Sequence, residues 1–409
     1  MKALVIGLGV SGKAAALLLK SKGYTVTGVD ANPKEIVGIH VLPESSLTDL
    51  TEFDLIVPSP GIARTHPLYA LAQRENKKIM GEAQLAFMYL DQCALGITGT
   101  NGKTTATLLV EHILKSSGRK AKAVGNVGLA LCEYALAPDP DEILVVELSS
   151  FQLESMEGPF LDAAALLNIT PDHLDRYASM REYAEAKLRI ALCRKAHAPF
   201  YVHSKVAKEY GVPYDCFDLA YILPVGYRQW GKHDLENAQA AWALCEEIGI
   251  SREEFVAAAD TFEKPRHRIA FVKNIEGVSY YDDSKGTNLD AVVQSVSMME
   301  GPVILIAGGV DKGASYVPWK ECFRGRVKGI IAIGQAAEKI RRELCDEFNV
   351  EIVDSLAAAV ERAKQKGTPG DVVLLSPGCS SYDMFRDYAH RGDEFQRFVN
   401  NIEERRIEQ

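Results

Sequence analysis

The residue types best suited to chemistry stand about a quarter of the way along the chain, in the order Gly99-Thr-Asn-Gly-Lys-Thr104. An apolar run, Ala94 to Thr98, precedes this stretch, and apolar residues at helical spacing follow it as far as Leu114. This is the order of a phosphate-binding loop, because glycines let backbone N–H groups approach phosphates and a helix N-terminus attracts anions. Lys103 can then reach the β- and γ-phosphates, and the Thr104 hydroxyl can ligate Mg²⁺.

The loop is shorter than the general phosphate-loop pattern, because Ile97 stands where that pattern has its first glycine. The alternative is an ordinary glycine turn with a solvated lysine. We favour phosphate binding, since Lys103 and Thr104 stand at the predicted start of the helix.

Glu147 is a second candidate, because four apolar residues, 143–146, lead directly into it. A buried acid needs a partner or a metal ion. Acids at the end of a strand beside a phosphate loop hold Mg²⁺ in many ATPases. A carboxylate hydrogen-bonded to the backbone is the less favoured alternative.

Sequence spacing leaves the roles of four other polar residues of the central region open. His173 follows a buried strand in a polar loop, where a ligand role and a capping role compete evenly. Lys187 lies on a predicted helix and by itself indicates a solvated face. Asn237 stands in a loop and helix predicted from Trp230 to Ile250, where it either faces a base or caps the helix. Asn126 lies in the turn after a strand.

The N-terminal region carries the pattern G-x-G-x-x-G at residues 7–12, between a strand and a helix. The next strand ends on Asp30, as in dinucleotide-binding folds, although a turn role for this acid is about equally favoured. A third strand stops at a rigid turn from Pro58, where ligands collect at the edge of a parallel sheet. The residues that we expect at a ligand here are Gly9, Val10, Asp30, Ser59 and Gly61.

Polar loops follow three predicted strands in the last third of the chain, at residues 282–288, 308–312 and 376–381. If these strands are parallel neighbours, Lys285, Lys312 and Ser381 converge on an anionic group. Each is an unremarkable loop residue alone, but three such loops together favour a site.

Composition excludes several classes of protein. The chain has 409 residues, 47% hydrophobic and 25% charged, which is typical of a soluble globular protein with two or three domains. The net charge of -9 argues against nucleic-acid binding. The eight cysteines form no CxxC pair, which favours reduced thiols. No segment has the ~18 apolar residues of a membrane span, and the chain begins directly with a strand. We therefore expect a cytoplasmic protein and a monomer.

The alternation of strands and helices predicts an α/β protein of three domains. Their bounds are 1–91, 92–263 and 264–409. We expect the first and third to be Rossmann-like and the second to resemble a P-loop ATPase.

Taken together, the motifs resemble those of the Mur ligase family. Eight pieces occur in the family's order over the whole chain, at residues 7–12, 59–63, 99–104, 147–152, 168–175, 265–268, 283–288 and 375–381. The resemblance implies that the first domain binds the UDP of a muramoyl substrate, the second binds ATP, and the third closes over it with the amino acid. The implied reaction adds D-glutamate to UDP-N-acetylmuramoyl-L-alanine through an acyl phosphate.

The resemblance also implies a role for each candidate residue. Lys103 neutralises charge, Thr104 and Glu147 hold Mg²⁺, and His173 ligates a second metal ion. Lys187 matches a family lysine that is carbamylated and becomes a metal ligand, which demotes the solvated-face interpretation. Asn126 is implied at the muramoyl substrate. The implied ATP-binding residues are Gly99, Thr100, Asn101, Gly102, Lys103, Thr104, Thr105, Asn237, Arg268 and Asp283. The implied amino-acid pocket contains Lys285, Thr287, Lys312, Ser381, Tyr382 and Tyr388.

The chain departs from the family pattern at several positions. Ala31 and Asn32 stand where a threonine and an arginine usually follow the uridine-side aspartate. Tyr388 replaces a usual phenylalanine and Tyr382 a common leucine, so each adds a hydroxyl beside the amino-acid site. The segment 187–233 is also short for the central domain.

Three other functions stay open on the sequence. The chain could be another amino-acid ligase of the superfamily, of the folylpolyglutamate or the meso-diaminopimelate-adding type, against which the loop 283–288 speaks. It could be a dinucleotide-dependent oxidoreductase, which leaves Lys103 and Glu147 unexplained. A nucleotide-binding regulator would bind ATP without amino-acid-dependent turnover.

Overall fold

A computed structural model describes residues 1–212, 215–217 and 232–407. Trp230, at which we predict a loop to begin, lies outside the described residues. The chain divides into two compact units: the first comprises Met1–Ile169 and Arg181–Phe262, the second Thr170–Met180 and Glu263–Gln409. The second unit therefore includes a short segment from the middle of the chain.

The first unit contains two parallel sheets. Strands of the first sheet are β1 (Lys2–Ile6), β2 (Thr25–Asp30), β3 (His40–Pro43), β4 (Leu55–Pro58) and β5 (Lys78–Ile79), in the spatial order β3-β2-β1-β4-β5. All of their described pairings are parallel. The carboxyl ends of β1, β2 and β4 therefore lie at one edge, where ligands bind in open α/β sheets.

The second sheet of this unit has β6 (Ala94–Thr98), β7 (Ala121–Gly125), β8 (Ile143–Glu147), β9 (Ala163–Leu166), β10 (Phe200–His203) and β11 (Asp215–Phe217). Its order is β11-β10-β9-β6-β8-β7, again with parallel pairs. The apolar runs are buried because helices cover them, as is usual for parallel sheets.

Ten helices of the described chain belong wholly or mostly to the first unit. They are α1 (Val10–Ser21), α2 (Pro67–Arg74), α3 (Glu82–Phe87), α4 (Lys103–Ser116), α5 (Leu131–Tyr134), α6 (Ser150–Leu153), α7 (Met180–Leu188), α8 (Ser204–Tyr210), α9 (Lys232–Glu247) and α10 (Arg252–Ala259). Leu109 and Ile113 of α4 share a buried core with Ala241 and Leu244 of α9, which fixes the start of α4 against the sheet.

The second unit is built on one mixed sheet. Its strands are β12 (Ala270–Ile275), β13 (Val278–Asp282), β14 (Val303–Gly308), β15 (Val327–Ile333), β16 (Val350–Ile352) and β17 (Val372–Leu375), in the order β12-β13-β17-β14-β15-β16. Its helices are α11 (Leu289–Ser297), α12 (Trp319–Phe323), α13 (Ala337–Leu344), α14 (Leu356–Lys366) and α15 (Tyr388–Ile407).

The predicted α/β fold class is confirmed, and the three sheets consist mainly of parallel strands. In the third sheet, β12 was not predicted; it pairs antiparallel with β13 at the edge of that sheet. The predicted strands β13, β17 and β14 are parallel neighbours, which was the condition for their loops to converge.

Candidate active site

The predicted phosphate loop connects β6 to α4 in the first unit. Gly102 precedes α4 with a left-handed φ of 84°, a conformation that glycine adopts without strain. A side chain at this position would also collide with Asn237, whose Oδ1 would lie 2.0 Å from a Cβ. Asn237 is thus buried beside the loop, so the structure places it with the predicted phosphate-binding residues.

Lys103, the first residue of α4, turns back over the loop. Its Nζ donates hydrogen bonds of 2.8 Å to the carbonyl oxygens of Gly99 and Thr100. Asn101 is held from the other side, where its N–H donates to Asn168 Oδ1 at 2.8 Å. The loop therefore has a defined shape with a cation at its centre.

Glu147 ends β8 and is paired in register with Ile97, just before the phosphate loop. Its side chain is buried, and Oε1 accepts a hydrogen bond of 2.7 Å from Asn126 Nδ2. Among the described residues, Oε2 has no hydrogen-bond partner. The alternative of a carboxylate satisfied by the backbone is therefore not found there. An unpartnered buried carboxylate oxygen beside the loop fits a Mg²⁺ ligand, because Mg²⁺ prefers oxygen ligands.

The environment of Lys187 differs from the one that its own sequence surroundings predict. The solvated-face interpretation is wrong, because Lys187 is 1% exposed and its Nζ donates to the Gly99 carbonyl oxygen at 2.8 Å. The same Nζ lies 4.6 Å from the ring centroid of Tyr183. Helix α7 presents both side chains inward because they are four residues apart.

Tyr183 is a candidate functional residue that sequence reasoning missed. It is buried, and its hydroxyl lies 3.2 Å from the Thr100 hydroxyl of the phosphate loop. The available signal was its position one helical turn before Lys187.

The candidate ligand residues of the first sheet stand at the carboxyl ends of its strands. Gly9 is the N-cap of α1, and the exposed Val10 begins that helix. Asp30 accepts hydrogen bonds from the backbone N–H groups of Leu8, at 2.7 Å, and Asn32, at 2.9 Å. The structure thus realises the turn role of Asp30, and contact with a ligand stays a prediction.

The remaining two of these residues follow β4. Ser59 donates its backbone N–H to the Ile6 carbonyl oxygen at 2.8 Å, which ties the turn to β1. Gly61 is exposed in the same turn. Both therefore lie at the edge where the ends of β1 and β4 meet.

In the second unit, the segment Thr170–Met180 carries His173. This residue has a φ of 56°, and its Nε2 lies 3.6 Å from Asp172 Oδ2. Asp172 is buried, and its Oδ1 pairs with Lys312 Nζ at 3.0 Å. Asp172 is a second residue to which we assigned no role from the sequence, although it stands in the motif around His173.

The three polar loops of the second unit meet, as predicted for parallel neighbours. Val310 and Ser380 pair through their backbones, and Gly378 donates to the Gly286 carbonyl oxygen at 2.8 Å. A small cavity beside them is lined by Pro171, Asp172, Asn288, Leu289, Asp311, Lys312, Ala314, Tyr316 and Gly378.

Lys285 and Tyr388 are in contact within this cluster, where Lys285 Nζ lies 4.1 Å from the centroid of the Tyr388 ring. Ser381 is buried, Thr287 is half-buried, and Tyr382 is 75% exposed. The structure therefore joins Lys285 to one of the two tyrosines that depart from the family pattern and leaves the other at the surface.

Asp283 is a buried residue of the first of these loops. Its Oδ2 accepts hydrogen bonds from Ser295 Oγ at 2.6 Å and Ser376 Oγ at 2.7 Å. Burial nevertheless raises its pKa to about 6. Arg268, the other ATP-binding candidate of this unit, has a buried Nε without a hydrogen-bond partner among the described residues. Their contact with ATP stays a prediction.

No three His, Cys, Asp or Glu side chains among the described residues are grouped so that they could hold a metal ion. Mg²⁺ that is shared with a bound nucleotide does not need such a cage, because it keeps waters and phosphate oxygens as ligands. No described helix combines the length and apolar character that a membrane crossing requires.

A phosphate loop with a strand-end acid, together with a further α/β unit whose polar loops carry Lys285 and Lys312, is the feature set of a nucleotide-dependent ligase of the Mur type. Family models match the chain accordingly: the Mur ligase middle domain at residues 97–203 and the Mur ligase glutamate ligase domain at residues 267–379. The chain belongs to the Mur ligase family.

Several curated relatives share nearly the whole chain. The UDP-N-acetylmuramoylalanine–D-glutamate ligase of Protochlamydia amoebophila is 47% identical, over 97% of each chain. The enzyme of the same name from Chlamydia caviae is 36% identical, over 99% of each chain. That from Alkaliphilus metalliredigens is 35% identical, over 98% of each.

Solved structures show the same fold at low identity. The MurF ligase from Thermotoga maritima in complex with ADP matches with a TM-score of 0.61 at 15% identity, over 98% of this chain and 95% of that one. The UDP-N-acetylmuramate-alanine ligase MurC from the same organism matches with a TM-score of 0.59 at 18% identity, over 98% and 99%.

Proposed function

We propose that this protein is an ATP-dependent ligase that joins D-glutamate to UDP-N-acetylmuramoyl-L-alanine, in the cytoplasmic synthesis of peptidoglycan precursors. The observation that carries the proposal is the 47% identity, over 97% of both chains, to a ligase named for this reaction. The phosphate loop and the three-loop cluster supply the groups that such a reaction needs.

The first step joins a carboxylate to a phosphoryl group. A carboxylate oxygen of the muramoyl substrate attacks the γ-phosphorus of ATP, and the bond to the β,γ-bridging oxygen breaks to leave ADP and an acyl phosphate. Phosphoryl transfer needs positioning and charge neutralisation more than covalent help from the protein. Lys103 supplies a positive charge, and the loop from Gly99 to Thr105 supplies backbone N–H groups for the phosphates.

The second step forms the amide bond. The neutral amine of D-glutamate attacks the acyl carbon, the tetrahedral intermediate expels inorganic phosphate, and the amine loses a proton. Lys285 and Lys312 suit the two carboxylates of D-glutamate, with Thr287 and Ser381 as hydrogen-bond donors. Tyr388, which contacts Lys285, would add a hydroxyl group to this pocket, and the exposed Tyr382 would add one beside it.

Mg²⁺ would neutralise the charge that develops on the transferred phosphoryl group. Thr104 and Glu147 would hold one ion, and the unpartnered Oε2 of Glu147 fits this role. His173 and a carbamylated Lys187 would hold a second ion. Carbamylation converts the lysine amine and CO₂ into a carbamate and a proton, and the carbamate nitrogen keeps one N–H for the Gly99 carbonyl oxygen.

The carbamylation of Lys187 has a direct test. Protein equilibrated with ¹³C-labelled bicarbonate should show one protected carbamate carbon by NMR, and Lys187→Met should abolish it. Lys195→Met, which removes a more exposed lysine paired with Asp162, should leave it in place. A wild-type spectrum without a carbamate signal would remove Lys187 from the metal ligands.

The first sheet would bind the UDP group through Gly9, Val10, Asp30, Ser59 and Gly61, and Asn126 would contact the muramoyl part. Asn237, Arg268 and Asp283 would complete the ATP site. The three predicted domains, 1–91, 92–263 and 264–409, would then correspond to the muramoyl substrate, ATP and the amino acid.

The experiment that tests the proposal is phosphate release by the purified protein with ATP, Mg²⁺ and UDP-N-acetylmuramoyl-L-alanine. D-glutamate, L-glutamate, L-lysine and meso-diaminopimelate are added separately. We expect release with D-glutamate alone. Release with another amino acid would keep the ligase chemistry and overturn the assigned pocket. ATP binding without release under any combination would indicate a regulator, and NAD(H) binding would favour the oxidoreductase.

A further inference from the structure

Arg391 is one of the largest fully buried side chains of the protein, at 1% exposure, and the proposed mechanism does not use it. It lies in the first turns of α15, behind the three loops that carry the proposed amino-acid pocket. Arginine is almost never fully buried unless its charge is paired. Its surroundings therefore call for a functional explanation.

The guanidinium of Arg391 donates hydrogen bonds to backbone carbonyl and hydroxyl groups of two of these loops. Nε donates to Ser284 Oγ and Nη2 to the Ser284 carbonyl oxygen, both at 2.9 Å. Nη1 and Nη2 both donate to the Cys379 carbonyl oxygen at 3.2 Å. Ser284 precedes Lys285, and Cys379 stands two residues before Ser381. The Arg391 side chain thus fixes the backbone next to Lys285 and close to Ser381.

The third loop lies close to the guanidinium. A Cβ on Gly309 would collide with the Ser380 carbonyl oxygen, at 2.1 Å, and would lie 3.3 Å from Arg391 Nη1, so the absence of a side chain lets this loop approach both. Gly309 begins the turn that leads to Lys312. Ser284 Oγ in addition donates to the Tyr388 carbonyl oxygen at 2.7 Å, which links the same network to the tyrosine beneath Lys285.

Arg391 forms no ion pair with a carboxylate in the part of the chain that the structure describes. Burial lowers its pKa to about 10, which leaves the guanidinium charged at neutral pH. The carboxylates of Asp383, Asp282 and Asp283 act on it electrostatically and oppose this lowering, so they compensate part of its charge within the protein. A charge in a medium of low dielectric constant acts over a longer distance, so an anion bound at the loops in front of Arg391 would also interact with it.

We propose that Arg391 is the positioning residue of the amino-acid pocket: it fixes the loops that carry Lys285, Lys312 and Ser381 and directs a positive field toward a dicarboxylate substrate. The inference rests on the proposed function. It predicts an effect on the amino acid specifically, whereas a purely structural arginine would affect all substrates and stability together.

The test compares steady-state kinetics of wild type, Arg391→Lys, Arg391→Met and Arg391→Ala. We expect the KM for D-glutamate to rise roughly tenfold to a hundredfold in Arg391→Met, the effect of losing charged hydrogen bonds. The KM for ATP and for UDP-N-acetylmuramoyl-L-alanine should stay within about twofold. Arg391→Lys should lie between, because an ammonium keeps the charge but cannot bridge all three acceptors. Added guanidinium, well below denaturing concentrations, should lower the raised KM of Arg391→Ala.

Arg397→Ala is the matched control, since Arg397 is an exposed arginine of the same helix, paired with Glu394. It should behave as wild type. An unchanged KM for D-glutamate in Arg391→Lys and Arg391→Met, with kcat and thermal stability lowered, would overturn the inference. If Arg391→Ala does not fold, the KM for D-glutamate of Arg391→Lys and Arg391→Met decides whether the inference holds. If the wild type itself shows no D-glutamate-dependent release, the proposed function fails, and the inference fails with it.

Discussion

At the scale of single residues, Glu147 carries the most chemical information. One of its carboxylate oxygens is satisfied by Asn126 and the other has no partner among the described residues, although both are buried. A buried acceptor left open costs free energy, so its retention is explained by a ligand that completes it. We interpret that ligand as Mg²⁺ on the phosphates of ATP.

Glu147→Gln tests this interpretation. The amide keeps an oxygen for Asn126 but loses the charge, so we expect phosphate release to fall roughly a hundredfold or more and the Mg²⁺ requirement to rise. The measurement is D-glutamate-dependent phosphate release over a Mg²⁺ titration. Glu133→Gln, an exposed acid of α5, serves as the control and should match wild type. Turnover of Glu147→Gln within about twofold of wild type would exclude Glu147 from the reaction.

The burial of some candidate residues was predictable from the sequence, and that of others was not. Glu147 was identified because apolar residues before an acid predict its burial. Lys187 was misread from its own surroundings, because its burial depends on where α7 packs, and nothing local reports that α7 faces the Gly99 carbonyl. No local sequence pattern indicates that Arg391 is buried. Its hydrogen-bond partners are Ser284, 107 residues away in the sequence, and Cys379, 12 residues away.

At the scale of elements, the turn between β6 and α4 needs glycine at position 102 for two reasons: its backbone conformation and the close approach of Asn237, a proposed ATP-binding residue. Gly102 has a positive φ and lies against Asn237, so both its conformation and its lack of a side chain are needed. Because Gly102 has no side chain, Asn237 of α9 can lie directly against the loop.

Gly102→Ala should therefore be costly in two ways. A non-glycine residue in this conformation costs about 1–3 kcal/mol of stability, and the displaced Asn237 should weaken ATP binding. Calorimetric titration with ATP and thermal unfolding measure the two effects separately. Gly329→Ala is the control, because its Cβ would meet only the Asn349 carbonyl oxygen, at 3.6 Å. Equal ATP affinity in Gly102→Ala and wild type would contradict the assigned loop.

The elements themselves were largely predictable. Strands such as β14 and β17 are apolar runs that stop at polar loops, and parallel order places those loops together. The antiparallel strand β12 was not predicted, because Ala270 to Ile275 mixes polar and apolar residues at an exposed edge and carries no clear period. Pairing with β13, not its own pattern, makes it a strand.

At the scale of the whole molecule, α3 links the first sheet to the second within the first unit through a buried acid. Glu82 accepts a hydrogen bond of 2.6 Å from the backbone N–H of Cys132 in α5, and its Oε2 has no partner among the described residues. Burial raises its pKa from 4.5 to about 7. The folded protein therefore binds a proton that the unfolded chain releases between these values.

This linkage makes the contact between α3 and α5 dependent on pH. Because the pKa of Glu82 is higher in the folded state, stability falls as pH rises from 4.5 to about 7, by up to roughly 3 kcal/mol. Glu82→Gln does not titrate, so its stability relative to wild type should increase from about pH 5 to about pH 8. Urea unfolding followed by circular dichroism at both pH values measures the difference. A difference independent of pH would show that Glu82 is ionised throughout.

The assignment of Thr170–Met180 to the second unit has a consequence for modularity. Asp172, the ion-pair partner of Lys312, is encoded far upstream of the domain in which it is used. A chimaera that exchanges residues 264–409 for those of a homologue would import a new lysine and keep the old aspartate. Grafting the amino-acid preference of one ligase onto another therefore requires two exchanged segments, and residues around 172 and 312 should be inherited together.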